Sequence, residues 1–337
     1  MSAENVEESF HLQLEAIQLL QKDLETSFLD AYIENIENIN DHYQVRIIND
    51  VPKQDTVDEL KRIYQKLQEI SLEKEERRKL SQLLLLKGMQ TEPLQPNHQL
   101  TPDSIGFLLV FLLEQLYPNK DTLKTIADLA CGMGNLLSTV ITNLEETGYD
   151  LHGFGVDNDE TMLAVAASNS QWIPTDITLI HQDAATDLLM DPTDAVLSDL
   201  PVGYYPVDEN AQNFVTAAEN EHSFAHHLLI EQSMKYVKEN GFGLFLVPTN
   251  FLQTDQSKYL KKWLVDKVYL QGIIQLPEEL FKNKAASKSI LILQQKGEKA
   301  KQVPEVLLAK VASLKEPKQV TAFFEEFKEW QSANLAD

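Results

Sequence analysis

From Thr101 onward the sequence alternates short apolar, β-rich runs with segments of helical pattern, and this alternation limits the possible folds more than any other feature. Seven runs have the character of strands: Thr125–Ala130, Gly153–Asp157, Ile177–Asp183, Asp194–Ser198, Phe242–Val247, Val268–Leu276 and Ser289–Gln294. The first five are separated by stretches mostly long enough for a crossover helix, which predicts a doubly wound, largely parallel α/β sheet. In such sheets ligands bind at the carboxyl ends of the strands, so residues that follow the strands are candidates for function.

The first 90 residues have a different pattern. They contain one proline, Pro52, and one glycine, Gly88, and their leucines and isoleucines recur at helical spacing. We therefore expect a helical N-terminal domain over residues 1–90. The sheet domain is expected over residues 91–315, followed by a C-terminal helical tail over residues 316–337.

Cysteine content and hydropathy bear on the compartment. The chain has one cysteine, Cys131, which excludes an internal disulfide and fits a reducing cytosol. The N-terminus is acidic and lacks the basic segment of a signal peptide. No apolar run reaches the ~18 residues that a spanning helix needs. We expect a cytoplasmic protein with no membrane contact.

Charge is distributed unevenly along the chain. The net charge is −23, and residues 1–50 hold eleven acidic against two basic residues. The region Lys258–Lys301 holds ten lysines against four acidic residues, Asp266, Glu278, Glu279 and Glu298. Most nucleic-acid-binding proteins carry a basic face, so this region is the candidate DNA contact; the alternative is an ordinary solvated surface. The acidic N-terminus is a candidate surface for a protein partner.

A glycine-rich turn follows the first predicted strand. It reads Asp-Leu-Ala-Cys-Gly-Met-Gly over residues 128–134, directly before a helical run. Glycines allow a sharp turn and close approach of a ligand, and the helix N-terminus offers free N–H donors. The spacing differs from that of the dinucleotide fingerprint. The second predicted strand ends in Gly155-Val-Asp157, which places a carboxylate where it can accept hydrogen bonds from ribose hydroxyls.

Together these two motifs resemble the S-adenosylmethionine site of class I methyltransferases, particularly the adenine-N6 DNA methyltransferase branch. Segments further along, residues 224–231, 241–248, 276–281 and 288–293, resemble in order the methylation subunits of type I restriction-modification systems. The resemblance implies a Rossmann-like, seven-stranded methyltransferase sheet whose last strand, near Lys288–Gln295, is antiparallel.

The same resemblance assigns cofactor contacts. The residues expected around the methionine moiety are Asp128, Cys131, Gly132 and Gly134. Asp157 is expected at the ribose and Asp183 at the cofactor adenine. Thr101, in the segment His98–Pro102, matches a Thr-Pro that lies beside the cofactor carboxylate in the type I subunits. Without the resemblance, Thr101 is a helix N-cap and Asp183 a strand-end cap.

The fourth predicted strand ends in the segment Ser198–Pro206 (SDLPVGYYP). Amino-methylating families carry an acceptor, two prolines and an aromatic residue here. The acceptor and the following carbonyl bind the target amine, and the aromatic ring stacks on a flipped-out base. This chain keeps the acceptor, Asp199, and the second proline, Pro201, and has leucine and valine at the other two positions. Tyr204 or Tyr205 is the candidate stacking ring.

Other chemistries have little support in the sequence. Cys131 cannot form a thiolate zinc site by itself, no metal-ligand spacing is present, and we expect no metal. The adjacent His226 and His227 are more typical of packing or solvent-exposed residues than of a catalytic site. Methyl transfer needs positioning and electrostatic support rather than a catalytic base.

The sequence therefore predicts an S-adenosylmethionine-dependent N-methyltransferase acting on the exocyclic amino group of adenine in DNA. Two alternatives stay open. One is a cofactor-binding protein that has lost catalysis and acts through a protein partner. The other is an N-methyltransferase whose substrate is RNA or protein.

Overall fold

The computed structural model describes residues 3–335, which form eleven α-helices and eight strands. The helices are α1 Ala3–Leu24, α2 Phe28–Asn40, α3 Gln54–Gln68, α4 Lys74–Thr91, α5 Asp103–Leu116, α6 Asn135–Glu146, α7 Glu160–Trp172, α8 Asp208–Ala211, α9 Ala225–Lys235, α10 Ser257–Lys267 and α11 Pro317–Asn334. The strands are β1 Thr125–Asp128, β2 His152–Asp157, β3 Ile177–His181, β4 Thr193–Asp199, β5 Val237–Pro248, β6 Val268–Gln275, β7 Lys288–Gln295 and β8 Leu307–Lys310.

All eight strands belong to one sheet, in the order β3-β2-β1-β4-β5-β7-β6-β8. Neighbouring strands are parallel except for β7, which runs antiparallel between β5 and β6. The Rossmann-like sheet with a reversed strand at Lys288–Gln295 is confirmed. The sheet also has an edge strand, β8, beyond the seven that were expected. Its four residues alternate between buried and exposed, which is too short a pattern to stand out in the sequence.

Helices cover both faces of the sheet. Along β5, Leu244 and Leu246 pack with α5, α6 and α11, whereas Phe245 and Val247 face α9 and α10. This alternation is the expected consequence of a period of two in a strand that is buried on both sides. Because both faces are covered, a ligand can approach only at the strand ends.

The C-terminal helix belongs to one of these layers. On α11, Phe327 is fully buried, and Phe324 stacks on Phe111 of α5 with ring centroids 3.7 Å apart. The segment expected as a tail is therefore packed onto the sheet. The boundaries at residues 90 and 315 remain predictions.

The first four helices form the N-terminal helical region that was expected. Its core is continuous with α7 through Met162, Val165 and Trp172. Polar groups join the two as well: the Tyr32 hydroxyl donates to Oδ1 of Asn169 at 2.6 Å, and the Asn40 amide donates to the Ser168 carbonyl at 3.0 Å. The helical region is thus docked on the helix that follows β2.

None of the helices within residues 3–335 is long and apolar enough to cross a membrane.

Candidate cofactor and acceptor site

A cleft of ≈ 550 Å³ opens at the carboxyl edge of the sheet. Most of its lining comes from residues 97–102, the glycine turn after β1, the end of β4 with residues 200–202, and the loop 280–288 that precedes β7. The loop before β7 thus meets the glycine turn and the end of β4 at one cleft. A cavity of this size is typical of small-molecule and cofactor sites.

The glycine turn is built from two left-handed residues. Gly132 has φ 52° and Gly134 has φ 73°, which side-chain-bearing residues rarely adopt. Gly134 caps the N-terminus of α6 and packs against Ala166, since an added Cβ would lie 3.1 Å from that alanine's Cβ. Gly155 of β2 makes room for Cys131, whose sulfur would lie 2.9 Å from a Cβ at that position. The sequence motif is therefore explained by close backbone approach.

Asp157 fixes this turn from the end of β2. Its Oδ2 accepts from the Gly132 N–H at 2.8 Å, and its Oδ1 accepts from the Asp159 N–H at 3.0 Å. The carboxylate is half-buried and contacts Gly132, which lines the cleft, although Asp157 itself is not among the described residues that line it. Each oxygen retains a further lone pair, so Asp157 can still accept hydrogen bonds from a ligand.

Asp128 is a buried carboxyl group at the end of β1. Its Oδ1 accepts from the Ser198 hydroxyl at 2.6 Å and from the Ala130 N–H at 3.1 Å. Burial raises the pKa of Asp128 to about 7, and the nearby charges of Asp157 and Asp199 add to the rise, against the lowering effect of these hydrogen bonds. Burial also raises the pKa of Cys131 well above its usual value, so this thiol stays protonated and packs as an apolar group.

Asp199, at the end of β4, has both oxygens engaged. Oδ2 accepts from the Thr101 hydroxyl at 2.9 Å, and Oδ1 forms a close ion pair with the ammonium group of Lys288. The backbone carbonyl of Thr101 is held in turn by the Asn135 amide at 3.1 Å. Thr101 thus connects the glycine turn's helix to the acceptor position.

Asp183 and the two tyrosines make their contacts away from the residues that line the cleft. The Tyr205 hydroxyl donates to Oδ2 of Asp183 at 2.5 Å, and the Ala185 N–H donates to Oδ1 at 2.9 Å. Burial, followed by the contact with Asp183, raises the pKa of Tyr205 to about 12. Tyr204 is 60% exposed and stacks on Phe224 at a centroid distance of 4.9 Å. Among the described residues that line the cleft, neither tyrosine nor Asp183 is included.

The aromatic groups that do line the cleft are His98 and Phe281, counting only residues the structure describes. Phe281 comes from the loop before β7 and is partly buried against the core. Pro201 also lines the cleft, next to Val202, whose backbone is held by Asn97 through two hydrogen bonds of 3.0 and 3.1 Å. The cleft therefore offers a different ring from the two that the sequence suggested.

The two histidines on α9 are buried, as packing residues are. Burial, with smaller contributions from His227 and Lys288, lowers the pKa of His226 to about 3; burial also lowers that of His227 to about 4. Neither ring nitrogen of His226 has a hydrogen-bond partner in the part of the chain that is described. Both rings are neutral at physiological pH.

The charges in the cleft fit S-adenosylmethionine. This cofactor carries a sulfonium and an ammonium group, and Asp128 and Asp157 bring carboxylates to the glycine turn. The buried Asp128 in particular lacks a cationic partner among residues 3–335. A cationic ligand would supply the charge that this carboxyl group lacks when ionised.

Sheet order, reversed strand and strand-end carboxylates together define a class I S-adenosylmethionine-dependent methyltransferase. A solved structure from Listeria monocytogenes, assigned to that class, superposes with a TM-score of 0.90 at 41% identity, covering 98% of this chain and 99% of its own. The methyltransferase subunit of a type I restriction-modification system from Streptococcus thermophilus has the same fold, with a TM-score of 0.65 at 13% identity, over 94% and 74% of the two chains.

The N-6 DNA methylase model matches residues 94–329, and the chain belongs to that family. The helical region matches the YtxK N-terminal helical domain over residues 7–89. The uncharacterised protein YtxK of Bacillus subtilis (strain 168) is 36% identical over 332 residues, which cover 98% of both chains. The predicted class, branch resemblance and cofactor are confirmed.

Sequence reasoning missed several residues that shape the site. Lys288 lies in the lysine-rich region that the sequence offers as a DNA contact or a solvated surface, whereas the structure pairs it with Asp199. Ser198 and Asn135 hold Asp128 and Thr101, and both were available as polar residues flanking the motifs. The contact between Asn97 and Val202 spans 105 residues and left no local signal.

Proposed function

We propose that this protein transfers the methyl group of S-adenosylmethionine to the exocyclic amino group of adenine in DNA. The observation that supports this most is the continuity of the cleft, which runs from the glycine turn to Asp199 and Pro201 at the end of β4. A donor held at the turn and an amine held at Asp199 would share one cleft. The membership of the N-6 DNA methylase family supports the same reaction.

The proposed cofactor contacts are those that the family resemblance implies, and four of the residues concerned, Thr101, Asp128, Cys131 and Gly132, line the cleft. Asp157 would accept from the ribose hydroxyls. The group that would surround the methionine moiety comprises Thr101, Asp128, Cys131, Gly132 and Gly134. Asp183, with Tyr205 and Asn210 on its carboxylate, would lie toward the cofactor adenine. The cofactor supplies an activated methyl group on sulfur.

The chain's own work is positioning. Asp199 and the following carbonyl accept from the target amine, which orients its lone pair and supports the positive charge that develops on nitrogen. Phe281 offers an apolar ring in the cleft for the flat face of the base, a role in which Tyr204 and Tyr205 would need to move. The proposal thus transfers the stacking role from the tyrosines to Phe281.

A second candidate function is cofactor binding without catalysis, acting through a protein partner on the acidic N-terminal helices. The engaged state of Asp199 favours it, because both carboxylate oxygens already accept hydrogen bonds. Under either function we propose a cytoplasmic location. We also propose that lysines of the region Lys258–Lys301 contact DNA.

Methyl-labelled S-adenosylmethionine with three acceptors tests the proposal. Adenine-unmethylated DNA, RNA and cell protein are incubated with wild type and with Asp199→Ala, and methylated products are identified by mass spectrometry. We expect N6-methyladenine in DNA with wild type, and loss of transfer with retained cofactor binding in the variant. Label in RNA or protein alone would select the other acceptors. Cofactor binding without transfer to any of the three would favour the second candidate.

A further inference from the structure

The antiparallel strand β7 brings a lysine to the acceptor end of the sheet. Lys288 is the first residue of β7 and pairs with Pro248, the last residue of β5. On the other side of β5, Asp199 ends β4. Because β7 runs against its neighbours, its first residue lies at the edge where β4 and β5 end. The reversal of this strand therefore places an ammonium group beside Asp199.

The pair is half enclosed and faces the cleft. The side chains of Lys288 and Asp199 are 21% and 22% exposed, and both residues line the cavity. The neighbouring His226 is neutral and adds no second positive charge beside Lys288. The charge of Lys288 is therefore balanced by that of Asp199. The acceptor position of this protein consequently carries no net charge.

The ion pair of Lys288 and Asp199 keeps free hydrogen-bonding capacity on both side chains. Lys288 has three N–H donors, and within residues 3–335 its ammonium group has one recorded acceptor, Oδ1 of Asp199. Asp199 has received one bond at each oxygen, from Lys288 and Thr101, and keeps a further lone pair on each. A donor and an acceptor thus stand side by side at the end of the cleft.

We propose that Lys288 is a specificity-determining residue, which with Asp199 selects a neutral amino group flanked by a hydrogen-bond acceptor and rejects alkylammonium groups. An amidine or primary-amide edge matches this pair: its N–H donates to Asp199, and the adjacent ring nitrogen or carbonyl oxygen accepts from Lys288. An alkylammonium group has a charge of the same sign as Lys288 and no acceptor atom beside it. The inference rests on the proposed function of this site as the acceptor site.

A purely structural role for Lys288 makes a different prediction. If the lysine only neutralised Asp199, its loss would change the affinity for every acceptor by the same factor. If Lys288 determines specificity, its loss changes the ratio of the affinities for two acceptors that differ only in the flanking atom. The ratio is therefore the quantity to measure.

The test uses the full-length protein saturated with S-adenosylhomocysteine, which fills the cofactor pocket and keeps purine probes out of it. Adenosine and 1-deazaadenosine, which has the same amino group without the flanking ring nitrogen, are titrated by ligand-observed NMR. We expect wild type to bind adenosine at least about tenfold more tightly than 1-deazaadenosine. Lys288→Met should bind the two nucleosides with equal affinity. Lys238→Met is the matched control, because Lys238 pairs with Asp194 at the opposite end of β4, and this variant should keep the preference.

Each outcome decides between the two ideas. Equal affinity of wild type for the two purines, or a preference that survives in Lys288→Met, overturns the specificity role and leaves the proposed function standing. Nα-acetyl-lysine methylamide carries a free alkylammonium group, and if it binds as tightly as adenosine the specificity role is also overturned. If wild type with S-adenosylhomocysteine bound takes neither adenosine nor N-acetylglutamine amide, the proposed acceptor site and the role of Lys288 fall together.

Discussion

At the scale of single residues, three carboxyl groups at the strand ends are compensated in three ways. Asp157 accepts two backbone N–H groups, Asp199 has a lysine, and Asp128 has a serine hydroxyl and one N–H. Of the three, burial acts most strongly on Asp128, whose pKa is raised to about 7. In the free protein the ionised form of Asp128 is therefore destabilised, at the position where a cationic cofactor is expected.

The contribution of Asp128 to the stability of the free protein should therefore fall as pH rises. The pKa of Asp128 lies near 3.8 in the unfolded chain and about 7 in the folded one, so its contribution is full below 3.8 and lost as pH passes 7. Between these values the slope from this group is at most about 1.4 kcal/mol per pH unit. Asp128→Asn should flatten the decline in free energy of unfolding between pH 5.5 and 8, measured in urea. The exposed Asp150→Asn is the control, and an equal pH dependence in both variants would contradict this account.

Cofactor binding should shift the ionisation equilibrium of Asp128. A cation beside Asp128 favours the ionised carboxylate, so binding near neutral pH should release protons and the affinity should increase from pH 6 to 8. Titration calorimetry in two buffers of different ionisation enthalpy measures the proton release. In Asp128→Asn the release should shrink; a release equal to that of wild type would place the titrating group elsewhere.

At the scale of elements, α7 connects the helical region to the cofactor site. It begins three residues after Asp157, and its C-terminal half receives hydrogen bonds from the helical region: Arg77 donates to the Trp172 carbonyl at 3.0 Å, and Tyr32 to Asn169. Tyr32 is fully buried and also lies 2.8 Å from the Ser81 hydroxyl. This polar contact is a buried link between the helical region and α7.

Tyr32→Phe should therefore destabilise the protein by about 1–3 kcal/mol, because buried partners on Asn169 and Ser81 lose their hydrogen bond. Urea denaturation monitored by circular dichroism measures this free energy. Tyr204→Phe removes a hydroxyl from an exposed ring and should change stability by less than about 0.5 kcal/mol. Similar values for the two variants would show that the Tyr32 link is not needed for docking.

The strand ends were predictable from sequence because each motif is local. Asp128, Gly132 and Gly134 follow one apolar run, and their positions after a strand imply a ligand edge. What lay outside prediction depends on pairing between distant segments. The ion pair of Lys288 with Asp199 joins residues 89 positions apart and can be predicted only if the direction of β7 is known. The hydrogen bond from Tyr205 to Asp183 holds a ring that the sequence offered as a candidate for base stacking.

At the scale of the whole molecule, charge governs any contact with nucleic acid. The chain carries a net charge of −23, and most of its surface should repel phosphate. In the region Lys258–Lys301, Lys282 lines the cleft and Lys284 is exposed on the same loop. Lys288 is paired with Asp199 and is not counted among the phosphate contacts.

If DNA is the substrate, replacing Lys282 and Lys284 by Gln should weaken binding and reduce the slope of log affinity against log salt by about one unit per lost contact. Fluorescence anisotropy over a salt series measures the slope. Lys61→Gln with Lys66→Gln, on exposed positions of α3, is the control pair and should leave the slope unchanged. A slope unaltered by the loop variant would favour a substrate other than nucleic acid.

Calorimetric titration with S-adenosylmethionine tests most directly whether the strand-end carboxylates form the cofactor site. Wild type should bind one cofactor per chain, and Asp157→Ala should weaken binding at least about tenfold, because hydrogen bonds to a charged group contribute about 1.5–3 kcal/mol each. Asp150→Ala should bind as wild type does, which separates this effect from a general loss of charge. Equal affinities for wild type and a folded Asp157→Ala would contradict the assignment of the site.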